Sequence, residues 1–146
     1  MDEVMLSIAD AGEVLTLQRA AYASEAQLYG DPFLPALTQS LSELERELTG
    51  PGLGLRLVGR LVGAVRWRVE TSTAHIGRLT VAPDLQGQGI GTKLLRSAQS
   101  RSGAETFELF TGHLSEANIR LYEREGFTVT RSEVLREGVT LIYMRK

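Results

Sequence analysis

The chain has 146 residues and a mass of 16.0 kDa, and a chain of this size can bury roughly two-thirds of its unfolded surface without disulfides. A formal net charge of −2 and a pI near 5.7 give no sequence-wide basic surface, so we expect no nucleic-acid partner. The absence of cysteine excludes disulfides, thiol nucleophiles and thiolate metal sites. No apolar run approaches the ~20 residues of a membrane span. We therefore expect one domain, residues 1–146, in the cytoplasm.

The first half of the chain predicts a strand, two helices and a meander of three strands. Asp10 can cap the first helix, whose pattern fades after Tyr22. Two prolines and a glycine between 23 and 37 indicate a loop. Gly59-Arg60 is predicted to form a two-residue hairpin turn. The predicted strands lie at 4–8, 53–58, 61–69 and 74–81, and the predicted helices at 11–22 and 37–48.

The second half predicts two further helices and three strands. A helix at 89–101 separates the strand at 74–81 from the strand at 105–110, so these strands should be parallel and joined by a right-handed crossover. Ser115 and Asn118 open the next helix, which Gly126 ends, and strands at 128–135 and 139–145 form a final hairpin. The resulting element order is β-α-α-β-β-β-α-β-α-β-β.

A glycine-rich loop follows the strand at 74–81, with the sequence Gln86-Gly87-Gln88-Gly89-Ile90-Gly91. Glycine at every second position allows positive φ and close approach of the backbone, so successive N–H groups can form an anion-binding nest. The loop leads into the N-terminus of a helix, where the helix dipole also favours a phosphate. We expect this loop to bind a pyrophosphate.

Two common phosphate-binding motifs do not fit this loop. The dinucleotide fingerprint G-x-G-x-x-G fails, because reading from Gly87 or Gly89 puts Thr92 or Leu94 at the last position. The Walker motif requires G-K-[ST], and the chain has Gly91-Thr92-Lys93 instead. A nucleotide-binding α/β domain is therefore a disfavoured alternative.

The loop resembles the Q/R-x-x-G-x-G/A signature of the GNAT superfamily of acetyl-CoA-dependent N-acetyltransferases. Downstream, the segment from Asn118 through Tyr122 to Gly126-Phe127 resembles the family's N-x-x-[AR]-x-x-L-Y-x-x-x-G-F segment, although only three residues separate Asn118 from Tyr122 here. The resemblance extends most clearly over residues 76–127. It implies the GNAT fold, an α/β fold with a mixed central sheet whose parallel strands four and five splay apart between flanking helices.

The resemblance also implies acetyl-CoA as a cosubstrate, with its pantetheine arm in the gap between strands four and five. A backbone N–H near Leu79 or Thr80 would face the acetyl oxygen. Asn118 would contact the arm, and Tyr122 would protonate the CoA thiolate, a task that suits a phenol with a pKa of about 10. Without the glycine loop, a core aromatic would be the simpler interpretation of Tyr122. The implied cofactor-binding residues are Leu79, Thr80, Val81, Gln86, Gly87, Gln88, Gly89, Ile90, Gly91, Thr92 and Asn118.

The general base is predicted less directly. His75 lies four residues before Leu79, so strand periodicity places both side chains on one face, and an imidazole suits a proton relay. In several members of the family a carboxylate occupies about this position. The alternatives are that His75 is a half-exposed strand residue, that His113 acts instead, or that an already neutral amine enters through water. No cluster of residues has metal-ligand spacing, so we expect no metal.

The predicted function is transfer of the acetyl group from acetyl-CoA directly to a primary amine, with no covalent enzyme intermediate. A non-catalytic acyl-CoA-binding or regulatory module with the same fold is the alternative. The sequence leaves the amine acceptor open. An edge strand in the C-terminal hairpin could pair in a homodimer. Five residues could line an acceptor pocket or serve only as helix caps and loop packing: Tyr22, Glu25, Tyr29, Asp31 and Phe33.

Overall fold

The computed structural model describes residues 1–146 and contains one seven-stranded mixed sheet. The strands are β1 (Asp2–Met5), β2 (Gly52–Leu57), β3 (Arg60–Glu70), β4 (Thr73–Val81), β5 (Thr106–Gly112), β6 (Thr128–Arg136) and β7 (Val139–Arg145). Their order across the sheet is β1-β2-β3-β4-β5-β7-β6. Only β4 and β5 are parallel neighbours. The predicted mixed sheet, its crossover and its C-terminal hairpin are confirmed.

Five α-helices flank the sheet: α1 (Ala11–Tyr29), α2 (Pro35–Thr38), α3 (Leu41–Glu47), α4 (Ile90–Ser102) and α5 (Glu116–Arg124). Helix α4 packs on β2, β3 and β4, whereas α1 packs on β3, β4 and the two short helices that follow it. Gly63 allows close packing of α4, because a Cβ there would overlap side-chain atoms of Leu94 and Ile90. No helix is both long and apolar enough to cross a membrane.

The predicted bounds of the first two helices were wrong. Helix α1 continues past Tyr22 to Tyr29 and ends at Gly30, whose φ of 60° places it in the left-handed region that favours glycine. The predicted second helix is broken into two, because Gln39 and Ser40 are extended. Ser40 then begins α3 with a capping box, in which its side chain and that of Glu43 each accept a backbone N–H of the other residue.

The turn between β2 and β3 also differs from the prediction by one residue. Leu57 pairs with Arg60, so Val58 and Gly59 form the turn instead of Gly59 and Arg60. Both turn residues have positive φ, 50° and 80°, as a two-residue hairpin with the usual strand twist requires. Val58 projects into solvent, with 98% of its surface exposed, so this side chain packs against nothing.

A buried polar cluster joins α1 to the elements around it. The side chain of Gln18 is fully excluded from solvent, and its Nε2 donates to the carbonyl of Ala36 and to Oε1 of Gln39, each at 2.9 Å. Its Oε1 accepts from Arg66 of β3 at 3.1 Å, and Arg66 also pairs with Glu47 at 2.9 Å. The cluster therefore fixes the break between α2 and α3 above the sheet.

Replacement of Gln18 by leucine is expected to destabilise the protein, although it makes the core more apolar. The change leaves the Arg66 guanidinium, the Gln39 side chain and the Ala36 carbonyl each short of a partner, which costs about 1–3 kcal/mol for a buried group. The free energy of unfolding in urea measures this loss. Gln27→Leu, on the exposed face of the same helix, is the matched control and should change stability by less than about 0.5 kcal/mol. Equal effects of the two substitutions would contradict the prediction.

Candidate functional site

The parallel strands β4 and β5 separate soon after they meet. They pair at only three positions, Thr73 with Thr106, Ala74 with Phe107, and His75 with Glu108. Beyond these positions β4 continues to Val81 and β5 to Gly112. The predicted splay is thus confirmed, and it leaves a gap in the middle of the sheet.

A β-bulge interrupts β4 beside this gap. Gly77 pairs with Arg66 and Thr80 with Ala64, so that Arg78 and Leu79 together face a single residue of β3. Arg78 has a φ of 52°, in the left-handed region that residues other than glycine rarely adopt. The bulge breaks the alternation of side chains along β4. The inference that His75 and Leu79 share one face is therefore wrong.

Three cavities surround the gap, and we name them by the residues that line them. The loop cavity, of about 420 Å³, is lined by the glycine loop and by Asn118. The central cavity, of about 200 Å³, is lined by Tyr122 and Glu25. The outer cavity is lined by His75 and Glu108. Leu79 and Asn118 line both the loop cavity and the central cavity, so these two adjoin at the gap.

The glycine loop lies at the N-terminus of α4, as predicted. Gly87 and Gly89 have φ values of 77° and 82°, and Gly89 is the residue that caps α4. Gly91 does not need positive φ, since it lies inside the helix, where a Cβ would be 3.5 Å from Leu121. All but one of the predicted cofactor-binding residues line the loop cavity: Leu79, Thr80, Val81, Gln86, Gly87, Gly89, Ile90, Gly91, Thr92 and Asn118. The exception is Gln88.

Tyr122 and Asn118 lie on α5 and face the gap. Tyr122 is 6% exposed and packs against Phe127 with 6.1 Å between ring centroids. Its hydroxyl makes no hydrogen bond within the protein. Burial raises the pKa of the Tyr122 phenol, and the nearby Tyr22 and Glu25 raise it further, so the phenol is protonated at neutral pH. Asn118 donates from Nδ2 to the hydroxyl of Thr111 at 3.3 Å.

The two histidines lie away from Tyr122. The His75 imidazole lies between two carboxylates, with Nε2 at 3.6 Å from Glu70 and Nδ1 at 3.6 Å from Glu108, and it lines the outer cavity. Nδ1 of His113 accepts from the backbone N–H of Thr140 at 3.0 Å. The structure therefore does not bring either histidine to the cavity that contains Tyr122.

A chain of hydrogen bonds that the sequence did not predict ends at Glu25. The backbone N–H of Leu114 donates to the hydroxyl of Tyr29 at 2.9 Å, Tyr29 lies 2.8 Å from the hydroxyl of Ser115, and Ser115 donates to Oε2 of Glu25 at 2.7 Å. Because the Ser115 hydroxyl donates to Glu25, Tyr29 donates to Ser115, and every proton of this network points toward the carboxylate. A Cβ at Gly112 would overlap the Tyr29 hydroxyl, so glycine is required there.

Part of this hydrogen-bond network was recognisable in the sequence. Glu25 and Tyr29 were among the possible pocket residues, and Ser115 was predicted only as a helix opener. Because the first helix was expected to fade after Tyr22, nothing placed Glu25 and Tyr29 one helical turn apart on the same face. With α1 extended to Tyr29, the spacing of four residues does so.

Comparisons with solved structures show which proteins share this fold. The PaiA N-acetyltransferase of Thermoplasma acidophilum, in complex with coenzyme A, is 18% identical, with 98% of each chain covered and a TM-score of 0.75. YncA of Salmonella typhimurium, a putative acetyltransferase with acetyl-CoA as its cofactor, is 20% identical, with 100% of this chain and 94% of that chain covered and a TM-score of 0.71. At these identities the similarity establishes the fold.

Sequence comparison identifies the family. The UPF0157 protein YqkA of Bacillus subtilis (strain 168) is 28% identical over 132 residues, which are 90% of this chain and 38% of that protein. The chain thus spans well under half the length of this curated relative. The family model described as "Acetyltransferase (GNAT) domain" matches residues 36–146. Since this match covers most of the chain, the protein belongs to the GNAT acetyltransferase family.

Proposed function

We propose that this protein transfers the acetyl group of acetyl-CoA directly to a primary amine. The observation that supports the proposal most strongly is that the loop cavity and the central cavity adjoin at Leu79 and Asn118, where β4 has lost its partner strand. A long, narrow ligand can therefore extend from the glycine loop to Tyr122. Structural neighbours from Thermoplasma and Salmonella have been solved with coenzyme A and acetyl-CoA respectively, which supports this ligand.

In the proposed complex the diphosphate of CoA binds the glycine loop. The positive φ values of Gly87 and Gly89 turn the loop at the N-terminus of α4, where free N–H groups and the positive end of the helix dipole attract phosphate. The pantetheine arm then lies along β4, where backbone groups of Leu79 and Val81 can bond it as a strand would. Gln88 does not line the loop cavity, so its contact with CoA stays a prediction from the sequence.

The reaction makes one bond and breaks one, and it moves protons at the nitrogen and at the sulfur. An ammonium acceptor first loses one proton; the nitrogen then attacks the thioester carbon, the N–C bond forms and the C–S bond breaks. The nitrogen loses its second proton as the amide forms, the departing thiolate gains one from the Tyr122 hydroxyl, and one of the two protons from the nitrogen restores that hydroxyl while the other passes to solvent. No protein group occupies the Tyr122 hydroxyl, so its proton can be donated to a ligand in the central cavity.

Glu25 is the proposed contact for the incoming amine. It has no cationic partner in the protein, and Ser115 fixes its Oε2 while leaving the rest of the carboxylate toward the central cavity. A carboxylate in this position attracts an ammonium group and can take up its proton through water. His75, in the outer cavity, stays the alternative relay.

The glycine loop is tested by adding a side chain at each positive-φ position. Gly87→Ala and Gly89→Ala place a Cβ in a conformation that costs about 1–2 kcal/mol per residue, so relief of the strain reshapes the loop. We expect calorimetry to show CoA binding weakened about tenfold. Gly103→Ala, at the far end of α4 with a φ of 66°, is the matched control. It carries the same strain and should lose stability without losing CoA affinity; an equal loss of affinity would refute the assignment.

Removal of the Tyr122 hydroxyl tests the general acid. Tyr122→Phe removes no intramolecular hydrogen bond, so its fold and CoA affinity should be retained. In a thiol-release assay with an amine panel we expect kcat to fall by about 100-fold, the usual range for loss of a positioned acid. An unchanged kcat would contradict this role. CoA binding without acetylation of any amine, in the unaltered protein, would support the non-catalytic alternative instead.

A pair of isosteric substitutions compares the two candidate contacts for the amine. Glu25→Gln keeps the shape of the side chain and removes its charge, and we expect kcat/KM for the amine to fall by about tenfold or more, because an ammonium loses a charge-assisted bond. His75→Gln should lower it less. The same thiol-release assay measures both variants. A larger effect at His75 would assign the proton relay to the outer cavity.

A further inference from the structure

Arg78 is the only positively charged residue that lines the central cavity, and Glu25 is the only acidic one. The Arg78 guanidinium forms no salt bridge, its Nε is buried without a partner, and the nearby polar side chain that it can bond is the neutral Tyr22 phenol. Buried polar groups are normally hydrogen-bonded, and a buried cation is normally paired. The unmatched charge at this point therefore requires an explanation.

The other arginines around the neighbouring outer cavity are paired. Arg66 lies 2.9 Å from Glu47, Arg131 lies 2.9 Å from Glu133, and Arg68 contacts Glu70. Arg78 is the exception, although it lines both cavities. Of the four arginines that line the outer cavity, Arg78 alone has no carboxylate partner.

The charge of Arg78 affects the pKa of two neighbouring side chains, Tyr22 and Arg66. Burial raises the pKa of the Tyr22 phenol, and Arg78 acts in the opposite direction. Burial also lowers the pKa of Arg66, and Arg78 adds to that effect as a like charge. Arg78 lowers and Glu25 raises the pKa of Tyr22, and all three residues line the central cavity. The cavity consequently contains a positive and a negative group that both act on one phenol.

The backbone at Arg78 explains how the guanidinium comes to face the cavity. The bulge adds one residue to β4, and Arg78 adopts a left-handed φ of 52° within it. Strained backbone of this kind persists where surrounding structure holds it, and it concentrates at ligand sites. The bulge directs a long cation toward the point where β4 and β5 have parted.

We propose that the amine acceptor is an amino-carboxylate, with its ammonium held by Glu25 and its carboxylate by Arg78; this rests on the proposed acetyl transfer. The planar guanidinium can bind a carboxylate through two parallel hydrogen bonds. The body of such a molecule would contact apolar side chains of the central cavity, which include Leu34, Ile76, Leu109, Phe110 and Val139. A polyamine is disfavoured, because a second cation would face Arg78.

Binding to the CoA-loaded protein tests this inference without turnover. The probes are leucine, phenylalanine and β-alanine, each compared with its amide, which keeps the amine and removes the negative charge. Calorimetry should show at least one acid binding about tenfold or more tightly than its amide, as expected for a hydrogen-bonded charge. Equal affinities in all three pairs would overturn the proposal, and this comparison needs no variant.

Two variants test whether Arg78 causes the tighter binding of the acid than of its amide. Arg78→Gln should bring the affinities of acid and amide together, and Arg78→Lys should restore part of the difference because the charge returns. Arg131→Gln removes a paired cation from the outer cavity and should leave the full preference. A preference that survives in Arg78→Gln, at an unchanged melting temperature, would overturn the assignment.

Turnover with acetyl-CoA separates this inference from the proposed function. Equal kcat/KM for each acid and its amide would leave acetyl transfer intact and overturn the amino-carboxylate acceptor. An acid preference in binding without acetylation of any probe amine would support the Arg78 site and count against acetyl transfer.

Discussion

The short pairing between β4 and β5 is the constraint on which the site depends. A parallel pair normally continues as long as both strands do, because each unpaired backbone group loses a ladder hydrogen bond. Here the pairing stops at His75 and Glu108 while both strands continue. The edge of β4 that is left free is a template for an extended ligand. The cavities, the glycine loop and α5 are all arranged around that edge.

Two buried polar arrangements hold α1 against the gap. Gln18 ties the helix to α2 and β3, and Glu25 is tied through Ser115 to the loop before α5. The two side chains lie on one helix, seven residues apart, which is two turns. The first arrangement is closed, with its polar atoms matched inside the protein. The second is open, because Glu25 has a hydrogen-bond donor but no cation, and this difference separates a structural cluster from a candidate binding group.

Much of this arrangement could be predicted from the sequence, because it depends on local signals. Alternating glycines before a helical pattern specify the loop, and the spacing of Asn118 and Tyr122 places both on one helix face. The bulge could not be predicted in this way. It depends on how β4 pairs with β3, and although Gly77 directly precedes Arg78, a single glycine in a strand does not specify where the register shifts or which residue is added. The inference that His75 and Leu79 share one face was wrong for that reason, and Arg78 was not among the predicted site residues.

A crystal structure of the protein with acetyl-CoA tests the role of the β4–β5 gap directly. We expect the pantetheine arm to lie between β4 and β5, with the diphosphate on the loop around Gly87 and Gly89 and the sulfur within hydrogen-bonding reach of the Tyr122 hydroxyl. Coenzyme bound on another surface, or a thioester far from Tyr122 with the gap left empty, would contradict it.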